Sequence, residues 1–278
     1  MNISGHTKII AHIGFPTESF KAPMIYNPWF EEKGVDAVVV PMGVRNEDYA
    51  AFLRPLFRLS NICGALITMP HKVTTLPLLD EVSTAVKVAG ACNAIRRRED
   101  GALVGDMFDG EGFVRGVLRK GRRLRSARVL VVGCGGVGSA IAASLAGAGV
   151  AELALSDAHG PSADGLAARL RANYPGLKTA AGPNDPAGFD LVVNATPMGM
   201  DKGDPMPMDV SRIAPETFVG EVVMKQEMTA FLSAAQARGC PVQVGVDMLF
   251  EQIPAYLEFF RLPSTTPEHL RAIARIAY

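Results

Sequence analysis

The sequence predicts an α/β protein of two domains, and three observations predict it. Short β-branched runs alternate with alanine- and leucine-rich stretches, the pattern of strand–helix units around a largely parallel sheet. Some of those runs, such as Val38–Val40, are continuously apolar, as strands buried on both faces are. A chain of 278 residues makes roughly two domains at about 150 residues each.

Taken in order, the first third reads as a strand over 8–13, a helix around 23–33, a strand over 37–41, a helix around 46–59 and a strand over 64–68. A basic stretch follows, with Arg115, Arg119, Lys120, Arg122, Arg123, Arg125 and Arg128. It contains no aromatic residues for base stacking and reads as a solvated helix end and connection. A denser α/β pattern starts at Ala127, with a strand over 129–132, a helix from Ser139 and a strand over 152–155. After Val244 the pattern turns helical, over 248–260 and then once more. The last helix is signalled by Thr266 as N-cap, Pro267 at its first position and Glu268 in its first turn.

Composition excludes several classes. The chain is 48% hydrophobic and 20% charged, which is ordinary globular usage and excludes disorder. Lys+Arg and Asp+Glu both number 28, so no net charge attracts nucleic acid. No apolar run approaches the roughly 18 residues of a membrane span, and the first residues lack a secretory pattern, so a cytoplasmic protein is expected. Cys63, Cys92, Cys134 and Cys240 form no CxxC pair and the five histidines no HxxxH pair, so no metal site is expected.

The strongest motif is Gly133-Cys-Gly135-Gly136-Val137-Gly138, between the strand ending at Val132 and the helix from Ser139. Glycines allow the tight turn and let backbone N–H groups approach a pyrophosphate at the positive helix end. The next strand ends in Ser156-Asp157, nineteen residues beyond Gly138, where an acid can accept from a ribose hydroxyl. A dinucleotide is the expected cofactor. A carboxylate at 157 would repel a 2′-phosphate, so NAD is expected over NADP.

Three further segments join polar groups to turn residues: Thr68-Met-Pro-His-Lys72, Gly90-Ala-Cys-Asn93, and Gly105 through Asp109 to Gly112-Phe113. With Gly14-Phe-Pro16 and Pro23 before them, the glycine turn, Asn194-Ala-Thr196-Pro-Met-Gly199-Met200 and Gly245-Val-Asp-Met248-Leu-Phe-Glu-Gln252, they form seven ordered segments. In order and spacing the chain resembles the shikimate dehydrogenase family over almost its whole length. The resemblance implies a substrate-binding α/β domain over 1–108 and 245–278, with C-terminal helices returning to it. Residues 109–244 would form an inserted Rossmann dinucleotide-binding domain. It further implies Lys72 and Asp109 as catalytic pair, and Asn93 and Gln252 as ligands of substrate hydroxyls, with Thr68 lining the pocket. Asn194, Thr196 and Gly199 would border the cofactor, and Gly245 would lie near the nicotinamide.

The departures from the family pattern are concentrated. Two serines hold the substrate carboxylate in the family's HSxSP segment; aligned without a gap, those positions are Phe20 and Ala22. Ser19 falls where the family has its histidine, and Lys21 where it often has a lysine. Leu66, Met107 and Phe108 replace family Asn, Asn and Thr, and Met224 replaces a substrate-contacting tyrosine. Groups that handle hydroxyls remain while those that handle the carboxylate have become apolar. The expected function is a nicotinamide-dependent dehydrogenase, with Lys72 handling the proton, acting on a cyclic polyol acid such as shikimate or a relative. Shikimate itself is expected to be a poor substrate. Two alternatives stay open: a catalytically weak NAD(H)-binding regulatory protein, and a dehydrogenase for a non-carboxylate or amino-substituted analogue. A monomer or homodimer is expected.

Overall fold

The structure is a computed structural model and describes residues 2–18 and 20–276. The chain divides into two compact units, residues 1–86, 90–108 and 253–278, and residues 87–89 and 109–252. Each is described by itself.

The first unit is built on β1 (Lys8–Gly14), α1 (Pro23–Lys33), β2 (Ala37–Gly43), α2 (Asn46–Leu56), β3 (Ile62–Ile67), β4 (Glu81–Val82), the first half of α3 (Thr84–Ala89, whose residues 87–89 count with the second unit), β5 (Ala94–Arg97) and β6 (Leu103–Asp106). Its sheet has the order β2-β1-β3-β5-β6-β4. β1 lies at the centre of a parallel trio, with Ile10, Ala11 and Ile13 fully buried. The sheet is mixed where a largely parallel one was expected, because β5 runs antiparallel to both β3 and β6. α1 starts at Pro23 and ends at Gly34, whose φ of 65° suits a residue without a Cβ. It buries Ile25, Tyr26, Trp29 and Phe30. α2 stops at Leu56 instead of the expected 59, with Pro55 removing a backbone donor from its last turn.

The second unit contains α4 (Asp109–Arg119), β7 (Arg128–Val132), α5 (Gly136–Gly147), β8 (Glu152–Ser156), α6 (Gly160–Asn173), β9 (Lys178–Ala181), β10 (Leu191–Asn194), β11 (Phe218–Glu221), α7 (Ala230–Ala237) and β12 (Val242–Gln243). Its six strands are all parallel, in the order β12-β11-β10-β7-β8-β9. Alternate residues feed two cores. Val129, Val131, Leu191 and Val193 pack with Phe113, Ile141, Leu145 and Leu166. Leu130, Val132 and Val192 pack on the other face with Phe231, Leu232 and Ala235. Burial on both faces is what the continuous apolar run Val129–Val132 encodes. Chain order reverses between β7 and β10, so the crevice beyond their C-terminal ends is the usual ligand position of such a sheet.

α8 (Gly245–Phe259) contributes 245–252 to the second unit and the rest to the first, whereas the sequence reading placed all of 245–278 in one domain. α9 (Pro267–Ile273) ends the first unit, with Thr266 Oγ1 accepting from His269 N–H at 3.3 Å as its N-cap. No described helix is long and apolar enough to cross a membrane.

Candidate active site

In the second unit two positions of the glycine turn, 133 and 138, are closed by contacts that leave no room for a side chain. Gly133 has φ +98°, and a Cβ on Gly138 would stand 1.9 Å from Gly133 O. Gly135 and Gly136 are exposed, with nothing within 4 Å of where a Cβ would be. Open space thus lies over the first turn of α5, which starts at Gly136 and not at Ser139 and carries no acidic residue there. Backbone donors facing open space at a positive helix end fit a pyrophosphate. Val137 is half-buried against the core beneath.

Around the turn, Ala195 N–H donates to Val132 O at 2.7 Å, tying β10 to β7 at their ends. Asn194 is fully buried; its Oδ1 accepts from the Thr196 hydroxyl at 2.6 Å and its Nδ2 donates to Met198 O at 3.0 Å. Gly199 has φ +96° and donates to Asp204 Oδ2 at 3.0 Å. Gly245 lies against the chain beyond β11, where a Cβ would stand 2.0 Å from Val223 O. Met224 is half-buried against the second unit's core. Beside these residues stands one that the sequence reading missed. Glu221 at the end of β11 is fully buried, and burial pushes its carboxyl up to about 7. Its Oε2 accepts from the Thr229 hydroxyl at 3.0 Å. An acidic residue closing an apolar strand was the available signal.

Ser156 ends β8 buried, and Asp157 follows it half-buried. Both Asp157 oxygens are engaged by backbone: Oδ2 accepts from Cys134 N–H at 2.7 Å and Oδ1 from His159 N–H at 2.8 Å. The carboxylate therefore braces the glycine turn, a use that the 19-residue spacing cannot distinguish from ribose binding.

Asp109 and Gln252 also belong to the second unit, and both are buried. Asp109 opens α4, which crosses α8 one turn later. A Cβ on Gly112 would stand 2.5 Å from Met248 O and 2.7 Å from Gln252 Cβ. At Gly110 the same helix meets α5, 2.0 Å from Ala140 O by the same measure. Glycines let these helices touch backbone to backbone and bring Gln252 to within about a turn of Asp109.

The first unit gathers the remaining groups at adjacent strand ends. Thr68 N–H donates to Ile13 O at 2.9 Å, holding the Thr68–Lys72 turn against β1. His71 anchors that turn: it is fully buried, its Nε2 lies 2.7 Å from Val44 O, and its ring stacks on Tyr49 at 4.0 Å. Lys72 follows, half-buried, with its carbonyl accepting from Cys92 N–H at 2.8 Å. Asn93 is buried next to it in the chain fold. Its Oδ1 accepts from Phe108 N–H at 2.9 Å, which commits the acceptor half of the amide to backbone.

Phe20 is turned inward in this unit. Its ring stacks on His12 at 4.1 Å, and a Cβ on Gly14 would stand 2.8 Å from Phe20 Cζ and 2.5 Å from Thr68 Cγ2. Ala22 immediately precedes α1, half-buried. His12, which the sequence reading also missed, interrupts the apolar run that follows Lys8 in β1. It is 8% exposed, and burial together with the Lys72 charge lowers it to about 4, so it is neutral. Ser19 lies outside the described residues. Among the described residues no group of three or more His, Cys, Asp or Glu is placed to hold a metal.

A doubly wound parallel sheet with a glycine turn at its switch point defines a dinucleotide-binding protein. The profile of the shikimate dehydrogenase substrate-binding domain matches residues 13–95, and that of the ThiF family matches 114–159. A relative named shikimate dehydrogenase (NADP(+)), from Geobacter sulfurreducens, is 34% identical over 269 residues, 94% of this chain and 93% of its own. The solved shikimate 5-dehydrogenase of Listeria monocytogenes, in complex with shikimate and NAD, superposes with a TM-score of 0.91 at 24% identity, covering 98% of each chain. The ligand-free 5-ketofructose reductase of Gluconobacter sp. strain CHM43 reaches 0.89 at 25% identity, covering 98% of this chain and 99% of its own. The chain belongs to the shikimate dehydrogenase family, NAD(P)-dependent oxidoreductases that act on CH–OH groups.

The expected preference for NAD is corrected by the same comparisons. Relatives 31% to 34% identical are named as NADP(+)-dependent enzymes. The physical reason lies in Asp157, whose carboxylate is occupied by the Cys134 and His159 backbone donors and so cannot be read as a ribose ligand from its position alone.

Proposed function

We propose that this chain is an NADP(H)-dependent dehydrogenase that interconverts a secondary hydroxyl and a ketone on a small polyhydroxylated molecule. In this reading the first unit holds the substrate and the second the cofactor. The observation that carries it is the retention of a buried polar set: Asn93 is 1% exposed, Asp109 6% and Gln252 8%. Polar side chains withdrawn from water within reach of a pocket are the usual means of binding a hydroxylated ligand.

The glycine turn 133–138 would hold the pyrophosphate, with Asn194, Thr196 and Gly199 beside it and Gly245 toward the nicotinamide. A bound nicotinamide would supply the hydride acceptor for oxidation and the hydride donor for reduction. Lys72 Nζ takes the hydroxyl proton during oxidation and gives it to the carbonyl oxygen during reduction, so the pair of electrons and the proton leave separately. By resemblance to the family, Asp109 is the second member of the catalytic pair, and Asn93 and Gln252 are ligands of substrate hydroxyls. The similar proteins bear the names of both shikimate and 5-ketofructose enzymes, so acidic and uncharged substrates are both compatible with this framework.

The test is nicotinamide absorbance with NADP(+) and NAD(+) against shikimate, quinate, methyl shikimate and 5-ketofructose (the last with the reduced cofactors). Turnover of at least one compound, at least as efficient with the NADP form, is expected. Cofactor binding without turnover of any would contradict the reading.

A further inference from the structure

We propose that the corner of the first unit formed by His12, Phe20 and Ala22 receives an uncharged, hydroxyl-bearing part of the substrate. The natural substrate is then a neutral polyhydroxylated ketone or alcohol and not a carboxylate. The proposal rests on the dehydrogenase reading above and narrows its substrate class.

Position comes first. Phe20 is half-buried; its ring centroid lies 4.1 Å from that of His12, with its tip toward Gly14 and Thr68 Cγ2 at the end of β1. An aromatic face therefore occupies the strand end at which Thr68 and Lys72 are held. Ala22 adds a methyl group and no donor. A carboxylate placed here would leave water for a phenyl ring and a methyl group, and burying an unpaired charge is far costlier than burying a hydroxyl. The apolar face of a polyol ring, in contrast, packs well on an aromatic ring.

Chemistry comes second. His12 is more than nine-tenths buried, and its Nδ1 has no hydrogen-bond partner. An orphaned buried nitrogen next to a site is a group kept for a ligand or a cost without return. Burial and the Lys72 charge keep the imidazole neutral, so it can exchange a hydrogen bond with a hydroxyl but offers a carboxylate no counter-charge. Lys72 is the cation that acts on His12, and a substrate carboxylate paired with it would occupy the amine that handles the proton.

The experiment compares shikimate with methyl shikimate, which keeps the ring and hydroxyls and removes the charge. Titration calorimetry on the full chain with NADPH present, so that neither alcohol is turned over, is expected to show the ester binding at least tenfold more tightly. Phe20→Ser/Ala22→Ser should shift that ratio at least tenfold toward shikimate. His12→Phe should weaken the ester about fivefold, the worth of one neutral hydrogen bond. Shikimate binding as tightly as the ester, or no binding of either, would overturn the proposal; if the double variant does not fold, the wild-type ratio decides alone. Efficient shikimate turnover would refute this proposal and leave the dehydrogenase reading intact. Tight ester binding with no turnover of any polyol would do the reverse.

Discussion

The glycine turn of the second unit and the β1 corner of the first obey different constraints. At the turn the backbone dictates residue type: a Cβ at 138 would meet a carbonyl oxygen at 1.9 Å, and the φ of +98° at 133 disfavours any side chain. At the corner the chemistry is carried by the side chains of Phe20, Ala22 and His12. A site made of backbone stays recognisable when its ligand is shared by many enzymes. A site made of side chains follows its particular substrate. The comparison explains why the turn matches the family pattern while the corner departs from it.

The largest expected effect is at Lys72. Lys72→Ala should lower kcat about 10²–10⁴-fold, the usual size of a general acid–base contribution, with a much smaller change in KM. A variant with wild-type kcat would remove Lys72 from the mechanism.

Two glycine variants separate fold from ligand in the turn. Gly138→Ala forces Gly133 to move and should cost about 1–3 kcal/mol of stability, read by chemical unfolding, besides abolishing NADPH binding. Gly135→Ala adds a methyl group to open space at a φ of −70° and should leave stability within about 0.5 kcal/mol. Its effect should fall on NADPH affinity, followed by fluorescence titration. Equal stability losses in both would mean that the open space is not a ligand cradle.

The smallest effect is a contrast in pH dependence between the units. His12 moves from 6.5 when unfolded to about 4 when folded, so between those values the unfolded chain holds more protons. Its share of stability rises with pH there and is lost on acidification. Glu221 moves from 4.5 to about 7, so the folded chain holds the extra proton in that window. Its share is present at low pH and declines as pH rises through about 7. Melting temperatures across these windows should show the wild-type advantage over Glu221→Gln shrinking with pH and the advantage over His12→Phe growing. Slopes of the opposite sign would contradict the burial argument for either group.

Much of the fold was legible because its signals are local. Val129–Val132 followed by the glycine turn specifies a buried strand and a tight entry into a helix, and Thr266-Pro267-Glu268 specifies a helix start. α4 was harder to read. Its Gly110, Gly112 and Gly116 look like turn residues, yet each sits where a Cβ would strike Ala140 O, Met248 O or the Gln243 side chain. Glycine lowers helix propensity, and tertiary contact overrides it here. The short β5 and β6 pair antiparallel over four residues each, too few for a periodic signal. Lys72, Asn93, Asp109 and Gln252 are proposed for the site on their motifs alone. His12 was passed over as one polar residue within a strand, and Asp157 was given the wrong weight because the backbone donors that occupy it come from folding.

The glycine turn follows the family pattern, whereas a corner built of Phe20, Ala22 and a neutral His12 offers a carboxylate no counter-charge. The most direct measurement is the ratio of kcat/KM for methyl shikimate over shikimate, with NADP(+) and the unmodified chain. The account predicts a ratio of about ten or more, since tenfold corresponds to about 1.4 kcal/mol and an unpaired buried charge costs more than that. A ratio of one or below would contradict it.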